Sequence, residues 1–181
     1  MQVWIAVLIW IADVAVLSFC LAIFEILLEK QHGWAGTLNP SGWGKRIFAE
    51  TFVAEICEKP YLTLYHPFMF AFVVPGILYG QLWISKHLLS ASRLSLLIKA
   101  SDGTLSSFLF LASIWFSILV VEDALWFVLN WYYPESWSDL LRGQIWWHTR
   151  WVTIGSIKLP RFYLITPLVA VALLAISLST R

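Results

Sequence analysis

An all-α integral membrane bundle of four helices, with one or two short interfacial helices, is the fold class this sequence predicts. Three observations carry that prediction. Hydrophobic residues make up 60% of the 181 positions while charged residues make up only 13%, against roughly 45–50% and 25% in soluble domains. The mean hydropathy is +0.75. Four apolar stretches approach the ~20 residues that a helix needs to cross a hydrocarbon core about 30 Å thick.

The first stretch runs from about Val3 to Leu28, interrupted by Asp13 and Glu25. No Lys or Arg precedes Lys30, so it lacks the basic start of a secretory leader and reads as a retained helix. The second runs from about His66 to Ser85 and contains Pro75, Gly76 and Gly80, which predicts a kink or close helix packing. The third runs from about Thr104 to Tyr132, broken by Glu122 and Asp123, and the fourth from about Phe162 to Leu178. Long apolar runs exclude a transmembrane barrel, whose strands alternate in segments of ~10 residues.

Between the first two stretches, residues 30–65 begin polar and Gly-rich. Over Lys45–Ile56, apolar Ile47, Phe48, Phe52, Val53 and Ile56 then recur at helical spacing, which predicts an interfacial helix. Leu88–Ile98 is a second candidate surface helix. Residues 133–161 carry Trp137, Trp146, Trp147 and Trp151. The chain reads as one transmembrane domain over residues 1–181.

With four crossings, the 30–65 and 133–161 loops share one face and carry eight Lys/Arg; the other face carries Lys86, Arg93, Lys99 and Arg181. The positive-inside rule then assigns both long loops to the cytoplasm. The basic residues form no stripe and the net charge is +1, so a nucleic-acid partner is excluded. Cys20 lies in an apolar run and Cys57 in a loop, which argues against a disulfide between them.

Ionisable residues in apolar helices are costly and face the bundle interior or the interface. Glu25 and Glu29 at the exit of the first helix, His66 at the entrance of the second, Glu122 and Asp123 late in the third, and His148 in the following loop all fall at one membrane face of this topology. Glu25 and Glu29 share a helix face, as do Glu122, Trp126 and Asn130, each four residues apart. Carboxylates from two helices with one or two imidazoles form the kind of donor set that holds a divalent metal (Fe, Mn or Zn) inside a bundle. The metal ligands this predicts are Glu25, Glu29, His66, Glu122 and His148, with Glu122 and Asp123 as acid/base groups. The bundle motif Glu-x-x-His is missing, and four His are too few for the His-rich membrane oxygenases. The alternatives are structural: for Glu122 and Asp123 a hydrogen-bond or ion-pair network with Arg142, Arg150 or a Trp N–H, for Glu29 beside Lys30 a solvated pair at a helix end, for Glu25 a place near enough to the boundary to reach water, and for Asp13 a hydrogen bond to Ser or Thr on a neighbouring helix.

The aromatic run from Trp126 through Trp151 reads first as a headgroup belt. Its functional version is a wall, with Trp126 and Trp147, for a lipid substrate, with Arg142, Arg150 and Lys158 as a phosphate rim.

The stretch Glu25–Leu38, the pairs Lys59-Pro60 and Tyr65-His66, Glu122-Asp123 followed by Trp126-Phe127 and Asn130, and Trp146-Trp147-His148 together resemble small prokaryotic polytopic membrane proteins whose function is not known. The resemblance implies a prokaryotic inner (plasma) membrane location and no activity. Three functional readings follow from the sequence: a small intramembrane enzyme with a Glu/Asp/His site for a lipid or other apolar substrate; a non-catalytic accessory or scaffold subunit; and a proton or ion pathway, for which Asp13 is the one candidate at mid-membrane and which carboxylates at only one face make hard to draw. Membrane lipid, other membrane subunits or further copies of the chain are the expected partners.

Overall fold

Among the described residues, three helices are long and apolar enough to cross a membrane: Val3–Glu29, Leu105–Leu129 and Phe162–Ser179. They lie within α1 (Gln2–Glu29), α5 (Thr104–Leu129) and α7 (Phe162–Ser179). The structure is a computed structural model and describes residues 2–30, 32, 33, 38–88 and 104–180. It is 66% helical. Helix α5 packs against both α1 and α7. The outer faces of the three helices carry Trp4, Leu8, Val16, Phe108, Leu168 and Val171, each more than half exposed. Such an apolar surface suits lipid and would be costly in water.

Close contact within the bundle comes from small and polar residues as well as apolar ones. Ser106 Oγ donates to the Ser177 carbonyl at 2.9 Å, and Ser177 Oγ donates to the Ser106 carbonyl at 2.8 Å, a reciprocal clasp between α5 and α7 of the kind that helices in lipid use. Trp10 Nε1 donates to Ser113 Oγ at 3.0 Å, joining α1 to α5.

The second apolar stretch is helical from Tyr65 to Leu88, as α3 (Tyr65–Phe68), a π-helical segment (Met69–Val73) and α4 (Val74–Leu88). Pro75 explains the widened turn. It has no N–H, and its ring clashes with the carbonyl one turn back, so the preceding helix opens. Trp115 Nε1 donates to the Phe70 carbonyl within that segment at 2.7 Å. A polar group loosened from the helical ladder is thus satisfied by a neighbouring helix. Tyr65, Met69, Val74 and Leu78 pack with Val14, Leu21, Ile114 and Ile118 in one buried cluster. An added Cβ at Gly76 or Gly80 meets nothing within 4 Å, so these glycines mediate no close helix approach among the described residues.

The interfacial helix expected over Lys45–Ile56 is helical only over α2 (Phe52–Ile56). Arg46–Ile47 (β1) instead pairs antiparallel with Leu62–Thr63 (β2), and Phe48 and Glu50 both take positive φ, which breaks a helix at non-glycine residues. Hydrogen bonding to a distant strand overrode the local apolar spacing. The Leu88–Ile98 surface helix lies outside the described residues apart from Leu88.

The third helix stops at Leu129 rather than Tyr132 because Asn130 leaves the helix. Its Nδ2 donates to the Lys30 carbonyl at 2.7 Å and its Oδ1 accepts from the Tyr132 N–H at 3.0 Å. One side chain therefore ties the ends of α1 and α5 together. Beyond it lie α6 (Ser136–Arg142) and a hairpin of Trp151–Ile154 (β3) with Ile157–Pro160 (β4), which leads directly into α7.

Candidate functional site

Where α1, α5 and α7 emerge beside the two long loops, seven side chains converge. Glu25 comes from α1, Glu122 and Asp123 from α5, Tyr163 from α7, Tyr65 from α3, and Lys59 and His148 from loops. Local backbone features deliver the loop residues. The chain leaves α2 at Cys57, and Glu58 turns it with φ +56°. The Lys59 N–H donates to the Ala54 carbonyl at 3.1 Å, and the Thr149 N–H donates to the Glu58 carbonyl at 3.1 Å. The two loops are thereby stitched together with Lys59 and His148 turned inward, 9% and 4% exposed.

The site has two connected halves. In the first, the Glu25 and Glu122 carboxyls hydrogen-bond each other, and Tyr65 Oη donates to Glu25 Oε1 at 3.0 Å. A carboxylate has no donor of its own, so two carboxyls in such contact form a hydrogen bond only when a proton lies between them. In the second, Lys59 Nζ lies 3.8 Å from Asp123 Oδ1 and 3.1 Å from His148 Nδ1, and Tyr163 Oη donates to Asp123 Oδ2 at 2.5 Å.

The tautomer of His148 follows from its partner. A lysine ammonium only donates, so Nδ1 is the acceptor and the ring proton resides on Nε2, which faces Asp123 Oδ2 at 3.5 Å. Burial, followed by the positive charge of Lys59, pulls His148 down to about 4, against the opposing pull of Asp123. The imidazole is therefore neutral at pH 7. Burial also lowers the Lys59 pKa, and the charges of Asp123, Glu122 and Glu29 oppose that shift. The ring of Phe162 lies beneath Lys59, 5.3 Å from Nζ, and stacks on His148 with centroids 5.4 Å apart.

Not every polar atom here is satisfied. Glu122 Oε1, Trp126 Nε1 and His148 Nε2 are buried without a hydrogen-bond partner among the described residues. Leaving such groups unpaired costs about 1–3 kcal/mol each, and buried orphans call for a functional or solvent explanation.

The expected site residues are thus largely brought together. Glu25 and Glu29 are 8% and 3% exposed, so Glu29 is buried rather than a solvated partner of Lys30. Glu122, Trp126 and Asn130 are each 3% exposed, which makes the stripe on α5 an inward-facing one. His66 is buried on the same side, with Nδ1 2.7 Å from Thr63 Oγ1. The expected metal set is not assembled. Among the described residues, no group of three or more His, Cys, Asp and Glu side chains is arranged to hold a metal ion, and the cation amid the acids is the Lys59 ammonium. In the sequence Lys59 stands as a loop charge and as part of the Lys59-Pro60 pair of the resemblance, with no site role assigned to it. The signal available was its place in a Lys-Pro step with nearby Tyr and His, and the acids' need for a counter-charge.

The two arginines proposed as structural partners of the buried acids pair elsewhere. Arg142 reaches Asp139 at 2.5 Å and Arg150 reaches Glu55 at 2.8 Å. Trp126 and Trp147 are core residues, 3% and 4% exposed, packed with Ile26, Phe127, Leu140 and Ile145. Trp131, Trp137 and Trp146 are exposed, as a headgroup belt requires. Asp13, half-buried in mid α1, joins no part of this cluster. Both cysteines are free thiols.

No protein-family model, curated protein or solved structure matches this chain.

Proposed function

We propose that the protein crosses the membrane four times and uses the Glu25–Glu122 pair, with the Lys59–Asp123–His148 network beside it, as an acid/base site for a lipid or other apolar substrate. The fourth crossing is the helix from Tyr65 to Leu88, whose length of 24 residues spans a bilayer at about 1.5 Å per residue. The two long loops then share one side, and their basic residues favour the cytoplasm.

The observation that carries the reading is Glu122 Oε1, a buried acceptor without a hydrogen-bond partner among the described residues, on a carboxyl in side-chain contact with Glu25. A group so placed takes a proton from, or gives one to, a substrate atom within hydrogen-bond reach. Trp126 Nε1, one turn along the same face and equally unpartnered, supplies a donor for a polar substrate atom. Tyr65 steadies Glu25, and the Lys59 ammonium balances the charge of the acids around it.

The test compares lipid extracts, by mass spectrometry, from membranes containing the wild type and Glu122→Gln. A lipid species that changes with the wild type and not with a folded Glu122→Gln supports the reading. Identical extracts overturn it.

One observation favours a second reading, a scaffold subunit. The network joins α1, α3, α5, α7 and both loops, which makes it a structural lock as it stands. That reading expects network variants to loosen the fold or release partner subunits while lipid composition stays constant.

A further inference from the structure

Next to the buried network, but facing outward, lies a pocket of about 360 Å³. Glu55, Glu58, Arg150 and Arg161 line it, with apolar Phe52 and Ile165 at its sides. Phe162 is shared: one face belongs to this pocket and its ring also contacts Lys59 and His148. We propose that this pocket binds the zwitterionic headgroup of a phospholipid, with the phosphate at Arg150 and Arg161 and the ammonium at Glu55 and Glu58.

Charge complementarity is the first argument. Two guanidiniums and two carboxylates line one small cavity, paired with each other as Arg150–Glu55 and Arg161–Glu58, so the pocket offers both signs and no net charge, and a headgroup would exchange those pairs for its own. A phosphate joined to an ammonium presents the same two signs over a few ångströms. Guanidinium is the side chain best matched to phosphate oxygens, and the start of α7 at Phe162 adds the partial positive charge of a helix N-terminus.

The second argument is an unsatisfied acceptor. Glu58 has a side chain only 6% exposed, and its Oε1 accepts from Arg161 Nε at 2.6 Å and from the guanidinium NH2 at 2.5 Å. Its Oε2 is buried, with no hydrogen-bond partner among the described residues. A bidentate Arg–Glu pair normally uses both oxygens; here the second is closed off from solvent, and an ammonium N–H becomes its donor when the Glu58 side chain turns toward the pocket that it lines.

Position is the third argument. Phe52 is 75% exposed and Ile165 is 47% exposed on the outer side of α7. Acyl chains leaving the pocket along Ile165 would enter the same environment as the exposed apolar faces of the membrane helices. The proposal places the pocket at the height where a headgroup sits.

The experiment uses the full-length protein in mild detergent, loaded with equal amounts of phosphatidylethanolamine and phosphatidylglycerol and read by native mass spectrometry. The expected result is at least fivefold preferential retention of phosphatidylethanolamine by the wild type. Glu55→Gln, at an exposed position that leaves the fold intact, and Arg150→Gln each remove that preference. Ile165→Trp, which fills the apolar side without changing charge, lowers retention of the lipid itself. Excess soluble glycerophosphoethanolamine displaces the lipid only if the free headgroup is the true ligand; the proposal expects no displacement. Equal retention of the two lipids, unaltered preference in the variants, or displacement by the soluble headgroup would overturn it. The outcome is independent of catalysis, because Glu122→Gln is expected to retain the lipid as the wild type does.

Discussion

Replacing Lys59 by Met removes a cation from among the buried acids while keeping the length of an apolar stem. At 3.8 Å from Asp123 Oδ1, the Coulomb attraction is about 4 kcal/mol at an effective dielectric constant near 20. Breaking a buried ion pair from one side costs about 3–5 kcal/mol, because the remaining charge stays desolvated. Lys59→Met also removes the donor to His148 Nδ1. Asp123→Asn in the same background removes the stranded charge and keeps an acceptor for Tyr163. The double variant is therefore expected to be more stable than Lys59→Met alone, with a coupling of at least about 2 kcal/mol between the two sites. Unfolding in mild detergent with increasing SDS, followed by Trp fluorescence, measures all four corners of the cycle. Additivity within about 0.5 kcal/mol would refute the reasoning, since independent sites behave that way.

Other outcomes follow from the same geometry. His148 has a pKa near 4 in the folded chain against about 6.5 unfolded. As pH falls from about 6.5 to 4 the unfolded chain gains a proton that the folded one refuses, so stability declines by up to about 3 kcal/mol. His148→Gln flattens that slope, and an unchanged slope in SDS unfolding would place the titration elsewhere. Gly33→Ala is expected to be more damaging than Gly143→Ala. Both residues have positive φ, but an added Cβ at Gly33 meets the ring of Trp147 at 2.3 Å, whereas at Gly143 it meets the flexible, exposed stem of Lys158; equal loss of melting temperature would contradict this. Ser177→Ala breaks one arm of the clasp with Ser106, a loss of about 0.6–2 kcal/mol readable by the same SDS titration. The proposed cytoplasmic placement of the long loops predicts that exposed Cys57 is modified by a membrane-impermeant maleimide in inverted vesicles and not in intact cells; the reverse pattern would invert the topology.

Particular residues show how far the sequence could be read. The Glu122, Trp126, Asn130 row was visible because period four on an apolar helix leaves few places for polar groups except the interior. The convergence of Glu25, Glu122 and His148 followed from chain topology alone, without any distance. Lys59 stayed hidden because a lysine in a polar loop looks solvated until a positive-φ turn at Glu58 and a backbone bond from Thr149 carry it inward. The β1–β2 pair was equally invisible: its hydrogen bonds link residues 46–47 to 62–63, and the local sequence carried a convincing helical pattern. Trp126 and Trp147 were expected first in the headgroup belt, but a tryptophan at a helix end is equally able to pack inward, and here the two rings meet edge to face at 5.7 Å.

The central claim is that Glu25 and Glu122 act as one unit holding one proton. Infrared spectroscopy of the protein in lipid at neutral pH tests it through the carbonyl stretch of a buried, protonated carboxyl, identified by its shift in heavy water. One such band is expected in the wild type, lost or displaced in both Glu25→Gln and Glu122→Gln and retained in Asp13→Asn. A band that survives both glutamine variants, or no band in the wild type, would contradict the account.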